Sequence, residues 1–223
     1  IVISLSYFSG YIPHRDIPDK GGLYIFDRVG NNLVGWPYGR DVGRMFVSAP
    51  ALSDLDGDKY LEVATSEYYG LNNLVLKHNG LISLGWPQDT GEPDLYATVI
   101  SDTPAYGKII LTTTSNAVYA WTSNGGLISG FPKLVNFGLN SPLTISDLDN
   151  NGKSEIIASE SAPFESNEFY KDQDRLYVKL YVWDLDISYT SSTMDWPMFQ
   201  HDPQHTGCYD CDRQCNDGVD NDN

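Results

Sequence analysis

The triplet Gly35-Trp36-Pro37 recurs as Gly85-Trp86-Pro87 and again as Gly130-Phe131-Pro132, and a related Asp195-Trp196-Pro197 follows. The prolines stand 50, 45 and 65 residues apart. Self-similarity at such a period means one supersecondary unit used several times, which restricts the architecture more than composition does. Before each of the first three marks lies a strand-like run: Leu23-Tyr24-Ile25-Phe26, Leu74-Val75-Leu76-Lys77 and Ala117-Val118-Tyr119-Ala120-Trp121. Each run leads into a Gly/Asn turn, at Gly30-Asn31-Asn32, Asn79-Gly80 and Asn124-Gly125-Gly126, and a fourth such run is Leu180-Tyr181-Val182-Trp183. Between the marks lie further β-branched runs bounded by turn residues, such as Glu62–Thr65, Lys108–Thr112 and Glu155–Ser159. No stretch shows helical periodicity over 11 residues. About 45–50 residues and four strands per unit is the signature of a β-propeller blade. The sequence therefore predicts an all-β chain of four visible blade-like units over residues 1–207. The expected core contains Trp36, Trp86, Phe131, Trp183, Ile25, Val75, Val118 and Ile157.

Two acidic segments interrupt the units at matching places. They are Asp54-Leu55-Asp56-Gly57-Asp58-Lys59-Tyr60-Leu61-Glu62 and Asp147-Leu148-Asp149-Asn150-Asn151-Gly152-Lys153-Ser154-Glu155. Both place oxygen-bearing side chains at positions 1, 3, 5 and 9. Calcium is a hard cation that takes about 6–8 oxygen ligands on a tightly curved loop. Asp54, Asp56, Asp58 and Glu62 with the Tyr60 carbonyl form one candidate set, and Asp147, Asp149, Asn151 and Glu155 with the Lys153 carbonyl form the other. The alternative is a pair of acidic surface turns; two loops of the same spacing in the same context favour the metal. The corresponding stretch Ser101–Gly107 lacks the carboxylates and is read as a metal-free unit.

Ile1-Val2-Ile3-Ser4 aligns with Ile156-Ile157-Ala158-Ser159, inside a unit, so a strand and a third acidic loop are expected before Ile1. The stretches from Tyr7 to Lys20 and from Ala162 to Asp174 are long insertions at equivalent places, where such folds carry recognition.

The formal net charge of −16 argues against a nucleic-acid partner, whose phosphates demand a basic face. No run of 18 apolar residues exists to span a membrane. All three cysteines, Cys208, Cys211 and Cys215, fall in the last 16 residues. Residues 208–223 are expected to be an acidic linker or tail. Zinc and disulfides are both open to the cysteines; the acidic, secreted-like context favours disulfides. His201 and His205, with Asp202 between them, could ligate a metal, but Gly207 and two prolines oppose a helix there and a packing role is preferred. Trp36, Trp86 and Trp121 could stack on sugars, yet their regular recurrence points to the core. No Ser/His/Asp arrangement, catalytic carboxylate pair or phosphate-binding Gly-rich loop is recognisable, so no enzymatic activity is expected of this segment.

The Ser-Asp-Leu-Asp loops followed by a strand, with Gly-Trp-Pro between units, resemble the FG-GAP (VCBS-type) repeats of integrin-α-like β-propellers. The resemblance covers about residues 1–207 and implies calcium in loops that join the innermost strand of a blade to the next. It departs at loop position 6, where the family's usual glycine is met by Gly152 but replaced by Lys59. Asp195–Gly207 resembles the end segment of prokaryotic secreted propellers, and Cys215–Asp222 is similar to a Cys-x-Asp-Gly-x-Asp-Asn-Asp motif of bacterial and archaeal surface proteins. In that motif Asp217, Asp220 and Asp222 would form a further weak calcium site. The resemblance implies an extracellular or cell-surface, calcium-binding module with a structural or adhesive role. Its loops would contact a protein or glycan, or further copies of itself in an assembly. The alternative is an accessory or substrate-binding domain of a larger secreted enzyme, such as a polysaccharide lyase or protease.

Overall fold

In the computed structural model, the described residues are 2–5, 22–27, 29–39, 46, 48–67, 72–92, 96–135, 138–139, 141–161, 178–190 and 192–209. The two insertions and the last part of the tail, with Cys211, Cys215, Asp217, Asp220 and Asp222, lie outside them. The described residues hold thirteen strands and no helix, so the chain is all-β. A first hairpin pairs β1 (Val2–Leu5) with β2 (Gly22–Ile25). A four-stranded meander follows, of β3 (Ala51–Ser53), β4 (Glu62–Glu67), β5 (Asn72–Leu76) and β6 (Gln88–Asp89). The next meander has β7 (Val99–Thr103), β8 (Gly107–Thr113), β9 (Ala117–Thr122) and β10 (Lys133–Leu134). The last has β11 (Thr144–Ser146), β12 (Lys153–Ser161) and β13 (Val178–Ser188). All pairings are antiparallel and none of the sheets closes into a barrel.

The sheets stack in chain order, and each interface is a core. Leu23, Ile25 and Trp36 meet Val63, Leu74 and Leu76 of the second sheet. The other face of that sheet turns Ala51, Ala64 and Val75 toward Ile100, Ile110 and Trp121 of the third. The third sheet then turns Val99, Ile109, Leu111 and Val118 toward Leu143, Ile145, Ile156 and Leu185. Successive side chains of a strand point to opposite faces, so neighbouring residues such as Val63 and Ala64 serve different interfaces. That is why these strands read as continuous apolar runs and why all six residues of β4 are buried.

The repeated triplet latches one sheet to the next. Trp36 Nε1 donates to His78 O at 2.9 Å, and Trp86 Nε1 donates to Ser123 O at 2.9 Å. Beside each indole the backbones touch: a Cβ on Gly35 would lie 1.8 Å from Asn79 O, and one on Gly85 would lie 1.9 Å from Asn124 O. Each Gly-Trp pair thus docks on the Gly/Asn turn of the following unit. The third mark does not. The Phe131 ring carries no N–H to donate, and a Cβ on Gly130 would meet only Lys133 Nζ at 3.9 Å.

Ile25, Val75 and Val118 are buried as expected, with Trp36 and Trp86, and Trp121 is buried too. Three expectations need correction. Phe131 is half-buried, and so is Trp183, where β13 has no outer strand over it among the described residues and leaves Val178 and Leu180 exposed. Ile157 is also half-buried; Ile156, one residue earlier and on the opposite face, is the core residue.

Residues 193–197 join the stack through an isolated antiparallel bridge between Trp196 and Ile100. Ile100 and Trp196 exchange both backbone hydrogen bonds at 2.9 Å, and Ile145 N–H donates to Pro197 O at 2.8 Å. Asp195 accepts a hydrogen bond from Ser53 Oγ at 2.5 Å and an ion pair from Lys108. This one segment therefore ties β3, β7, β8 and β11 together. The packed part continues to Tyr209, which lies against the cluster of Trp86, Trp121 and Trp196.

Candidate metal centres

The two acidic segments form the connections β3–β4 and β11–β12. Both coil by entering the left-handed region twice, at positions 4 and 6. Gly57 (φ 81) and Lys59 (φ 74) do so in the first loop, Asn150 (φ 59) and Gly152 (φ 82) in the second. Glycine adopts this conformation freely, whereas a lysine pays about 1 kcal/mol. Lys59→Gly should therefore raise stability by about 1 kcal/mol, seen as a higher denaturant midpoint; a lowered or unchanged midpoint would contradict the strain.

The coil turns backbone N–H groups inward onto the carboxylates. Asp54 accepts from Gly57 N–H at 2.8 Å and Lys59 N–H at 3.1 Å, and Asp147 accepts from Asn151 N–H at 3.0 Å and Gly152 N–H at 2.9 Å. At position 7 the N–H of Tyr60 donates to Asp58 at 2.8 Å and that of Lys153 to Asn151 at 2.7 Å. A carboxylate has about four lone-pair sites, so these bonds leave room for a cation. One oxygen each of Asp54, Asp56 and Asp58 lies within 4.8 Å of the others, as do those of Asp147, Asp149 and Glu155.

Position 9 distinguishes these loops from ordinary acidic turns. Glu62 and Glu155 are 1% and 3% exposed. In each, Oε2 accepts a backbone N–H from loop position 2, Leu55 at 2.8 Å and Leu148 at 2.7 Å. In each, Oε1 is buried without a protein partner. An unpartnered buried carboxylate oxygen costs several kcal/mol unless something pairs with it. The unit whose loop lacks the carboxylates supplies an internal comparison. Ser53 and Ser146 stand opposite Glu62 and Glu155, while Ser101 stands opposite Ile109. Where the acidic loop is replaced by a tight turn, the buried glutamate is replaced by an apolar residue. The orphaned oxygen and the acidic loop occur together, and an oxygen-seeking cation fits both.

Burial pushes the Glu62 carboxyl up to about 7, against the Leu55 N–H and with help from the charges of Asp56, Asp58 and Asp54. The Lys77 ammonium, 2.6 Å from Asp56, holds Asp56 below the usual carboxylate range. The full set of carboxylates in the first loop is thus partly offset. In the second loop Lys153 turns outward to Asp186 at 2.7 Å. Because the folded value for Glu62 lies above its ordinary 4.5, the folded chain holds that proton more tightly than the unfolded one. Its stabilising contribution is full below about pH 4.5 and is lost as pH rises through about 7. In the presence of chelator, wild-type stability should therefore fall relative to Glu62→Gln between about pH 5 and about pH 8. Parallel pH profiles for the two proteins in thermal melts would contradict this.

The remaining sequence candidates separate from these centres. His201 (φ 75) and His205 (φ 57) sit in an irregular turn, with His201 against the Trp196 ring at 5.0 Å and His205 Nδ1 3.2 Å from Phe199 O. Cys208 is disulfide-bonded. Sequence reasoning missed His78, whose imidazole stacks on Tyr60 at 4.3 Å and reaches the first loop. Its signal was the hairpin register: Val63 pairs with Leu76, so Lys77 and His78 flank Glu62.

No family model matches the chain, and no curated protein matches it by sequence. Two of the solved structures with similar shape are the biofilm matrix protein Bap1 of V. cholerae and a protein of unknown function from Bacteroides caccae. The first is 15% identical, with a TM-score of 0.41, over 89% of this chain and 40% of that one. The second is 16% identical, with a TM-score of 0.39, over 73% of this chain and 54% of that one. The chain thus covers less than two thirds of either protein. No helix among the described residues is long and apolar enough to cross a membrane.

Proposed function

We propose that the chain is the repeat region of an extracellular β-propeller of FG-GAP/VCBS type, in which calcium bound by two inter-strand loops rigidifies a structural or adhesive module. The observation that carries the reading is the pair of buried glutamates, Glu62 and Glu155, each with one oxygen held by the loop backbone and one unpartnered. Calcium suits all-oxygen donor sets of this size. A propeller is supported by meanders that pack face to face in chain order, with β3 beside β7 and β7 beside β11. The Cys208 disulfide supports an oxidising, extracellular setting. The reading assigns no catalytic residue; a protein or glycan partner would meet the loops. Titrating calcium into chelator-treated protein by calorimetry should give two sites per chain, and Glu155→Gln should leave one. Zero sites in the folded wild type would refute the proposal.

A further inference from the structure

We propose that the first loop carries an imidazole-containing subsite, formed by Asp58, Glu62 and His78, that takes a divalent cation of the zinc class and excludes calcium from that loop when filled. One ligand atom of each of these three residues lies within 4.8 Å of the others. Glu62 is 1% exposed and its Oε1 has no partner. His78 Nδ1 is also buried without a partner. The His78 ring is held by stacking on Tyr60 at 4.3 Å, and its backbone is held by the Trp36 indole on His78 O. The imidazole is thus fixed beside two carboxylates by contacts that use neither its ring nitrogens nor the free glutamate oxygen. Two carboxylates and an imidazole, with a fourth position for water, form a donor set for zinc; calcium takes oxygen ligands and gains little from a nitrogen. Ligands around zinc lie about 3.3 Å apart for bonds of about 2.0 Å, so small side-chain rotations close the site.

The second loop lacks this option. The hairpin registers pair Val63 with Leu76 and Ile156 with Trp183. Counting forward two residues places Leu185 where His78 stands, and Leu185 belongs to the apolar core. The two loops share the buried glutamate and differ in the imidazole. The inference goes beyond the calcium reading and is separable from it. Because Glu62 has one free oxygen, zinc and calcium would compete for it at the first loop, while the second loop keeps calcium alone. Of the nearby charges, Asp54 and Asp56 favour the cation and Lys77 opposes it, paired as it is with Asp56.

The test is calorimetric titration of chelator-treated protein with zinc, and with calcium in the presence of zinc. Wild type should bind one zinc ion. His78→Phe, which preserves the stack on Tyr60 and the backbone acceptor, should weaken zinc at least about tenfold, as should His78→Ala. Asp149→Ala and His201→Ala should leave zinc binding unchanged. Zinc should remove one calcium site from wild type and none from His78→Phe. X-ray absorption on the zinc-loaded wild type should show one imidazole nitrogen, a readout independent of any variant. Absence of zinc binding, an all-oxygen shell, or zinc binding lost through His201→Ala and retained in His78→Phe would overturn the inference. Zinc binding as expected, with no calcium at either loop, would instead refute the calcium reading and with it the competition, and leave the zinc subsite standing.

Discussion

Chelation of divalent cations should lower the melting temperature by about 10 °C for each loop that loses its ion. A cation that binds only the folded state stabilises it by RT ln(1 + [L]/Kd), about 3–4 kcal/mol at a hundred to a thousand times Kd. For a domain of this size, 1 kcal/mol moves the midpoint by about 2–4 °C. The sensitivity arises because removing the ion leaves clustered carboxylates and two buried glutamate oxygens uncompensated, at the connections β3–β4 and β11–β12. Asp149→Ala should abolish the share belonging to the second loop, and Asp54→Ala the share belonging to the first. Magnesium should restore little, since it demands octahedral geometry at shorter distances. Calorimetric melts with and without chelator decide the matter, and superimposable curves would contradict it.

Gly85→Ala should destabilise the fold by about 3–5 kcal/mol, one of the largest effects available to a single methyl group here. Two costs add. The φ of +85° is unfavourable for any L-residue, and the new Cβ would lie 1.9 Å from Asn124 O, a backbone atom of the next sheet. The only relief is to separate the second sheet from the third, which also breaks the Trp86–Ser123 hydrogen bond. Gly91 provides the control. Its φ is +75° with nothing within 4 Å, so Gly91→Ala should cost only the conformational part, about 1–2 kcal/mol. Denaturant unfolding of both variants tests this, and equal losses would show that the inter-sheet approach contributes nothing.

The strands were legible because their neighbours sit on opposite faces and both faces are covered. The runs beginning at Glu62, Leu74, Lys108 and Glu155 therefore kept their apolar residues together, and the turns between them carried Gly and Asn. The oxygen spacing of the two loops located the acidic clusters. The departure at Lys59 from the glycine met by Gly152 marked the position where the backbone turns left-handed. What the sequence concealed depends on register and on neighbours distant in the chain. Ile156 and Ile157 are equally apolar, and only the pairing with Ile145 and Thr144 shows which one turns inward. Phe131 looked equivalent to Trp36 and Trp86, but among the described residues its unit meets no Gly/Asn turn in the following sheet. His78 lies 16 positions beyond Glu62 and becomes its neighbour only through the β4–β5 hairpin. The burial of the two glutamates was invisible for the same reason: an acidic residue at the end of an acidic loop reads as exposed until the sheet is stacked over it.

The most direct measurement is a crystal structure grown in calcium, with anomalous difference density collected at a long wavelength. A peak is expected in each loop, bonded at about 2.3–2.6 Å to the loop carboxylates and to Glu62 Oε1 or Glu155 Oε1. A loop whose glutamate oxygen remains buried, with no anomalous peak and no cation within bonding distance at saturating calcium, would contradict it.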